Sequence, residues 1–152
     1  MNLTWDQYFI KLAECAALKS KDPSTKIGAV IVGIDNEVLS IGFNGFPRGI
    51  ADYSDRYTNR ETKLKLIEHA ERNAIYNAAR QGIKLKDSKL YLSNNLKMIC
   101  GDCAKAIIQS GISEVVGIKK ADKELLKRWE NDFSKTLFRE SGITRTEIIY
   151  HA

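Results

Sequence analysis

Two short motifs constrain the fold of this 152-residue chain more than any other feature of its sequence. The first holds His69 and Glu71, and the second is a Cys-Gly-Asp-Cys tetrapeptide that begins at Cys100 and ends at Cys103. One imidazole and two thiolates fill three corners of a zinc tetrahedron and leave the fourth open to water, as in catalytic zinc sites. The fold must therefore bring two distant segments together around one metal ion.

The numbers of cysteines and histidines limit how many such sites one chain can build. Cys15 and His151 are the remaining residues of these types, and they lie near opposite ends of the chain. They cannot supply a second zinc site made only of cysteine and histidine. Three cysteines are an odd and sparse set that does not suggest a disulfide framework, so we expect a reducing, cytoplasmic location, or the host cytoplasm if the source is viral. Cys15 lies in an apolar helical run and is expected to be a small core residue.

Composition and charge narrow the class of protein. A hydrophobic content of 43% and a charged content of 28% are typical of a globular protein, and the length fits a single domain over residues 1–152. We see no signal peptide, and the longest apolar stretch, over 27–32, is too short to cross a bilayer, so no membrane partner is expected. The net charge of +5 fits either a phosphate-bearing partner or an ordinary solvated surface.

The hydrophobic pattern predicts helices and strands in the order α-β-β-α-β-α-β-α-β. A capping box at Thr4 opens the first helix, and later helices are predicted over 61–81, 103–110 and 121–140. Strands are predicted over 27–32, 38–43, 90–92, 115–118 and 146–150, with a long functional loop over 44–59. The first strand is almost wholly apolar, which suggests burial on both faces. This order indicates an α/β fold, a three-layer α-β-α domain with a five-stranded mixed sheet.

The spacing of the four motif residues suggests that three of them bind the metal and that Glu71 transfers protons. His69 and Glu71 are predicted on the second helix, and the two cysteines are predicted to open the third, where unpaired N–H groups favour thiolates. Bound zinc would make hydroxide available in the open position near neutral pH. Glu71 points elsewhere on the helix than His69, so it can carry the water proton to a ring nitrogen and later to a departing amine. This chemistry suits hydrolytic removal of an amino group from an amidine-like ring carbon.

A structural zinc site is the main alternative. A closed zinc knuckle needs a fourth cysteine or histidine ligand and leaves Glu71 without a role. A non-catalytic module that binds zinc and nucleotide is the alternative from another class of protein, and the presence of Glu71 argues against it.

The motifs resemble a known superfamily. A His-x-Glu motif followed by Cys-x-x-Cys is the established signature of zinc deaminases. The chain resembles the cytidine/deoxycytidylate deaminase superfamily and, in particular, its deoxycytidylate (dCMP) deaminase branch. The resemblance covers nearly the whole chain and is carried by residues 5–9, 22–29, 42–49, 69–75 and 103–112. The Gly-Phe-Asn-Gly-Phe-Pro-Arg-Gly stretch over 42–49 separates the dCMP branch from the rest of the superfamily.

The resemblance implies a reaction and roles for named residues. It implies hydrolysis of dCMP to dUMP and ammonia for thymidylate supply, in which a zinc-bound hydroxide attacks C4 of the ring. The implied zinc ligands are His69, Cys100 and Cys103, and the implied proton shuttle is Glu71. The implied substrate contacts are Asn44 to the sugar, the Ala70 backbone N–H to the pyrimidine carbonyl, and Ile27 to the base.

The resemblance also implies partners beyond the substrate. It implies a homo-oligomer, often a hexamer, and control by the activator dCTP and the inhibitor dTTP, with Mg²⁺ accompanying the triphosphate. The expected effector loop contains Gly45, Phe46 and Gly49.

The basic residues offer several candidates for phosphate contact. We nominate Lys26 and Arg48, the cations nearest to the motifs. Lys119 and Lys120 are lesser candidates.

The chain departs from the family pattern at one position. Ile99 stands where the family usually has proline, and because isoleucine can adopt the same φ we expect metal binding to survive.

The alternative substrates are a 5-modified dCMP, a free nucleoside and a base in nucleic acid. A nucleic acid partner is not expected, because the sequence lacks interleaved aromatic residues for stacking on a single strand.

Overall fold

A mixed sheet with helices on both of its faces forms the framework of the computed structural model, which describes residues 2–119 and 133–149. Within those ranges the helices are α1 (Trp5–Ala17), α2 (Ser54–Thr58), α3 (Arg60–Leu66), α4 (Ala70–Gln81), α5 (Gly101–Gln109) and α6 (Ser134–Ser141). The strands are β1 (Gly28–Val32), β2 (Val38–Phe43), β3 (Lys89–Leu92), β4 (Glu114–Ile118) and β5 (Thr144–Ile148), and a short 3₁₀ helix spans Leu96–Met98.

The strands lie in the order β2-β1-β3-β4-β5. Strand β1 pairs antiparallel with both of its neighbours, whereas β3, β4 and β5 run parallel to one another. The predicted five-stranded mixed sheet is therefore confirmed.

Strand β1 forms the middle of the core because both of its faces are covered. Val30 and Val32 pack in a cluster with Phe9 of α1, whereas Ala29 and Ile31 pack in a second cluster with residues of α4 and α5. All five residues of β1 are buried, as its apolar sequence predicts. Helices on both faces make this a three-layer α-β-α architecture, which confirms the predicted fold class.

The structure interrupts the helix that the sequence predicts over 61–81. Helix α3 ends at Leu66, and α4 begins only at Ala70, with extended backbone at His69. The cause is a backbone bridge in which Gly45 and Glu68 each donate an N–H to the other's carbonyl, at 3.1 and 2.8 Å. Two hydrogen bonds to a distant loop cannot form from a helical segment, so tertiary pairing overrides the local helical pattern.

Other predicted elements shift by a few residues. The Thr4 capping box is confirmed. Helix α2 lies inside the predicted loop over 44–59, α5 begins at Gly101 and not at residue 103, and β5 lies two residues earlier than predicted. The last helix is confirmed over Ser134–Ser141, while 121–132 lie outside the described residues.

The prediction that Cys15 belongs to the core is wrong. Its side chain is exposed, because α1 buries the face that carries Phe9, Ile10, Ala13 and Ala17. Apolar residues occur around much of this helix, so its sequence alone does not define a single buried face.

Three strand ends meet at one edge of the sheet and create the position for a site. Because β1 is antiparallel to β2 and β3, its first residues lie beside the last residues of both neighbours. Gly28 donates its N–H to the Ser93 hydroxyl at 2.9 Å, and Asn44 donates its N–H to the Ile27 carbonyl at 3.2 Å. Ligands of α/β sheets bind in the crevice outside the carboxyl ends of strands.

None of the described helices combines the length and the apolar character that a membrane span requires.

We predict that replacing Gly42 by alanine strains the contact between β2 and α4. A Cβ atom there would lie 2.3 Å from the Ala74 nitrogen and 2.5 Å from the Ala70 carbonyl oxygen, both backbone atoms. Gly42→Ala should lower the free energy of unfolding by about 1–3 kcal/mol, measured by urea denaturation.

Gly45→Ala is the matched control, since nothing lies within 4 Å of its Cβ position. It should change stability by no more than about 0.5 kcal/mol. Equal losses for the two variants would contradict this account of the contact.

Candidate active site

Two helix starts bring the three predicted metal ligands together. His69 is the N-cap of α4, Cys100 is the N-cap of α5, and Cys103 follows in the first turn of α5. The Nδ1 atom of His69 lies 3.4 Å from each of the two Sγ atoms. All three donor atoms lie within 4.8 Å of one another.

The geometry of this donor set fits zinc. Bonds of about 2.0–2.1 Å to nitrogen and about 2.3 Å to sulfur separate the two atoms by roughly 3.6 Å at a tetrahedral angle, close to the observed N–S distances. Among the described residues, no further histidine, cysteine, aspartate or glutamate joins this cluster. This part of the chain therefore offers three ligands, which leaves a fourth tetrahedral position for a small molecule.

The two thiols have opposite tendencies to ionise. Hydrogen bonds from the Cys103 thiol and from His69 lower the pKa of Cys100 to about 4, against the effect of burial, and the Cys103 backbone N–H also reaches its sulfur at 3.4 Å. The pKa of Cys103 is raised, because its thiol donates that hydrogen bond and is buried. One ligand is thus ready as a thiolate, and binding of a cation would displace the proton of the other.

Glu71 lies in the first turn of α4, where it is 3% exposed. It lines the same cavity as His69 but does not belong to the donor cluster. Burial raises the pKa of its carboxyl group, while the neighbouring His69 opposes that effect. A carboxyl group that exchanges its proton more easily near neutral pH is suited to general acid and base catalysis.

The cavity beside these residues has a volume of about 370 Å³. Three residues that the sequence assigned to the substrate also line it, namely Ile27, Asn44 and Ala70. As the first residue of α4, Ala70 has a backbone N–H with no partner inside its own helix.

Asn44 is held rigidly in the wall of this cavity. Its Oδ1 accepts the Ile27 N–H at 2.8 Å, and its Nδ2 donates to the Thr25 carbonyl at 2.8 Å and more weakly to Asp22 at 3.4 Å. Both amide donors are therefore used within the protein. The second lone pair of Oδ1 remains to accept a hydrogen bond, so Asn44 can receive a hydroxyl group but has little to donate.

A buried ion pair that the sequence reasoning missed lies next to Asn44. The side chain of Asp22 is 2% exposed, and Lys63 Nζ lies 2.8 Å from its Oδ2. Its Oδ1 also accepts the backbone N–H groups of Ser24 and Thr25, at 2.9 and 3.2 Å. Burial raises the pKa of Asp22, but the hydrogen bonds from Lys63, Ser24 and Thr25 outweigh it and hold the pKa below its usual value.

Further residues of the cavity wall also carried no sequence signal, among them Arg60 and Met98. The Asp-Pro-Ser stretch at Asp22 does indicate an Asx turn, which the structure contains. No sequence pattern connects that turn with Lys63, because the contact forms only in the folded chain.

Neither of the two cations nominated for phosphate contact is among the residues that line the cavity of Glu71. Lys26 Nζ donates to the Ser20 carbonyl at 2.6 Å and does not line the cavity that holds Glu71. Arg48 donates to Asn77 Oδ1 at 2.6 Å and lines a different cavity. Of the lesser candidates, Lys119 is exposed, and Lys120 lies outside the described residues.

The cavity that holds Arg48 has a volume of about 430 Å³, and both residues of the Gly45–Glu68 bridge line it. Gly45 and Phe46 of the expected effector loop line it, together with Arg80. Gly49 does not line it and turns the chain with a φ of 83°.

Three candidate ligands for one metal ion, with a buried carboxyl group in the cavity that His69 also lines, have the composition of a zinc-dependent hydrolytic site. A model of the cytidine and deoxycytidylate deaminase zinc-binding region matches residues 3–119 of the chain. The chain belongs to this family, as its motifs predict.

Individual relatives cover most of the chain. Deoxycytidylate deaminase of Mus musculus is 36% identical over 93% of this chain and 78% of the mouse protein. A probable deoxycytidylate deaminase of Drosophila melanogaster is 40% identical over 80% of this chain and 63% of the fly protein. The dCMP deaminase of cyanophage S-TIM5, crystallised with dCMP and dUMP, has the same fold, with a TM-score of 0.74 and 23% identity over 97% of this chain and 99% of that chain.

We predict that the purified protein binds one zinc ion per chain and that Cys103→Ser abolishes tight binding, because it removes a buried thiolate ligand. The measurement is metal content after dialysis against a weak chelator. Cys15→Ser is the control, since that thiol is exposed and outside the donor cluster. Full zinc content in the Cys103→Ser protein would contradict the assignment.

We predict that Lys63→Met destabilises the protein in a pH-dependent way. Without Lys63 the buried Asp22 carboxylate has no counter-charge, which should cost about 3 kcal/mol at pH 7. In the wild type the pKa of Asp22 is lowered, so its contribution to stability is present at neutral pH and is lost as the pH falls through that pKa. In the variant, burial raises the pKa, so the penalty disappears as Asp22 is protonated.

The difference in unfolding free energy between the two proteins should therefore shrink as the pH falls from 7 to 4, measured by urea denaturation. Lys65→Met, on the same helix, removes a cation that is 72% exposed and should cost less than about 1 kcal/mol. A difference in unfolding free energy between wild type and Lys63→Met that stays constant with pH would disprove the role of Asp22.

Proposed function

We propose that the chain is a zinc-dependent deaminase that hydrolyses dCMP to dUMP and ammonia. The observation that carries the reaction type is the buried Glu71 carboxyl group, which lines one cavity together with His69 of the His69, Cys100 and Cys103 donor set. The choice of substrate is supported by relatives named deoxycytidylate deaminase and by the likeness in fold to a protein crystallised with dCMP and dUMP.

Glu71 is the residue that moves protons in this proposal. Zinc, when bound by the three ligands, supplies the Lewis acidity that makes hydroxide available near neutral pH. The Glu71 carboxylate takes the proton of the attacking water and delivers it to N3 of the cytosine ring. The water oxygen bonds to C4, and Glu71 then moves the remaining proton of that C4 hydroxyl group to the exocyclic N4. The C4–N4 bond breaks, the C4 oxygen becomes a carbonyl oxygen of dUMP, and N4 leaves as ammonia.

Three further residues orient the substrate. The Ala70 N–H, at the start of α4, donates to the pyrimidine carbonyl oxygen, and the Ile27 side chain contacts the base. Asn44 Oδ1 accepts a hydrogen bond from a sugar hydroxyl. Its Nδ2 cannot donate to the sugar, because both of its N–H groups already bond to Thr25 and Asp22. Because Asn44 is fixed by three internal partners, it positions the sugar without first having to become ordered.

We assign nucleotide control to the second cavity, beside the loop that carries Gly45, Phe46 and Gly49. In this assignment dCTP with Mg²⁺ activates, dTTP inhibits, and the active form is a homo-oligomer, with a hexamer favoured. The Gly45–Glu68 bridge supports this arrangement, since it joins the wall of the second cavity to the segment just before His69.

We predict that Glu71→Gln retains zinc but lowers kcat for dCMP by about three or more orders of magnitude, because it removes the proton carrier but no ligand. Ammonia release and metal content are the measurements. Glu61→Gln, which alters a carboxylate that is 81% exposed on α3, should retain full activity. Turnover by the Glu71→Gln protein within tenfold of the wild type would rule out this role.

The substrate is tested with a panel of dCMP, 5-methyl-dCMP, deoxycytidine, dCTP and a single-stranded oligonucleotide, with ammonia release as the readout. We expect dCMP to have the highest kcat/KM of the unmodified compounds. Equal kcat/KM for deoxycytidine would exclude selection for the phosphate. A zinc-loaded protein with no activity on any compound would favour the non-catalytic binding module.

A further inference from the structure

Two cations line the cavity that holds Glu71, and both lie on α3. They are Arg60, at the first position of the helix, and Lys63, one turn later. Asn59 caps the helix by accepting the Thr62 N–H at 3.0 Å, which fixes where the helix begins. A spacing of three residues places both cationic side chains on one face of α3.

All three N–H donors of the Lys63 ammonium group are used by partners within the protein. Its Nζ donates to both carboxylate oxygens of Asp22, at 2.8 and 2.9 Å, and to the Ser24 hydroxyl at 2.8 Å. An ammonium group has three donors, and these contacts use all of them. The charge of Lys63 also cancels that of Asp22, so this pair neither attracts nor repels an anion strongly.

Arg60 differs from Lys63 in each of these respects. It is exposed, and within residues 2–119 and 133–149 its guanidinium group makes no hydrogen bond or ion pair. A guanidinium group stays charged at any physiological pH, and its planar fork of donors matches two oxygens of a phosphate group. With Asp22 neutralised by Lys63, the α3 side of the cavity carries the net positive charge of Arg60.

A series of contacts along the cavity wall connects the proposed sugar contact with α3. His69 and Glu71 lie where the reacting ring must be. Asn44, which accepts from the sugar in the proposed function, bonds to Asp22, and Asp22 bonds to Lys63 on α3. This series joins Asn44 to α3 and ends one helical turn from Arg60.

We infer that Arg60 binds the 5′-phosphate of the substrate and so selects a nucleoside monophosphate over a nucleoside. This inference rests on the proposed function and adds the residue that recognises the phosphate. Lys63 acts as a positioning residue, because it neutralises Asp22 beside the phosphate and holds the turn that fixes Asn44.

The test compares kcat and KM for dCMP and for deoxycytidine in the wild type, Arg60→Ala, Arg60→Lys and Lys65→Ala. Arg60→Ala should raise KM for dCMP by about 10- to 100-fold with kcat nearly unchanged, the effect of losing one charged hydrogen-bonding partner. Its kcat/KM for deoxycytidine should stay within about twofold of the wild type, since that substrate has no phosphate. The KM of Arg60→Lys for dCMP should lie between those of the wild type and Arg60→Ala.

Lys65→Ala is the matched control, since it removes one exposed cation from the same helix outside the cavity. It should leave both substrates unaffected. The inference is overturned if Arg60→Ala leaves KM for dCMP unchanged. It is equally overturned if the variant loses activity on dCMP and deoxycytidine by the same factor, since that result indicates a structural role.

The outcomes also separate this inference from the proposed function. If the wild type turns over dCMP and Arg60→Ala does so equally well, the proposed function stands but Arg60 has no part in it. If the wild type turns over neither substrate, the proposed function fails. Calorimetric binding of dCMP to zinc-loaded wild type and Arg60→Ala then decides the role of Arg60, with at least tenfold weaker binding by the variant as the expected result.

Discussion

The backbone bridge between Gly45 and Glu68 is the interaction on which the geometry of the site depends. It interrupts a stretch that would otherwise continue as a helix, and it makes His69 the N-cap of α4. The extended backbone at that position sets Nδ1 of His69 against the two cysteines that open α5. The same bridge ties the loop that follows Asn44 to the segment just before His69, so one long-range pairing positions residues on two sides of the cavity.

Negative charge is gathered at this edge of the sheet, and the fold balances it locally. His69 and Cys100 cap two helix starts, and at the start of α5 the Cys103 N–H reaches the Cys100 sulfur, which favours the thiolate over the thiol. Arg72 forms an ion pair with Glu68 and lies 3.8 Å from Asp102, and these contacts place a cation beside the sulfur ligands. Away from the metal ligands, the Asp22–Lys63 pair satisfies a buried carboxylate without leaving a net charge. Asp22, Glu68 and Asp102 thus each have a cationic partner.

The sequence predicts the framework well because the core strands have little freedom. The apolar run that becomes β1 has no alternative to burial on both faces, and Gly82 and Gly142 end their helices in the left-handed conformation that glycine favours. The donor set can also be proposed from sequence, because histidine and paired cysteines at this spacing have few other uses. The break before His69 and the Asp22–Lys63 contact cannot be predicted in this way. Both depend on partners far along the chain, and neither leaves a periodic pattern.

The central claim is that two sulfurs and one nitrogen hold a zinc ion whose fourth position is open, with Glu71 close by but not bound to it. X-ray absorption spectroscopy of the zinc-loaded protein tests this directly when wild type and Glu71→Gln are compared. We expect two sulfur atoms at about 2.3 Å and two lighter atoms at about 2.0–2.1 Å in both proteins, one from His69 and one from solvent. A third sulfur, or the loss of a light atom in the Glu71→Gln spectrum, would contradict the account.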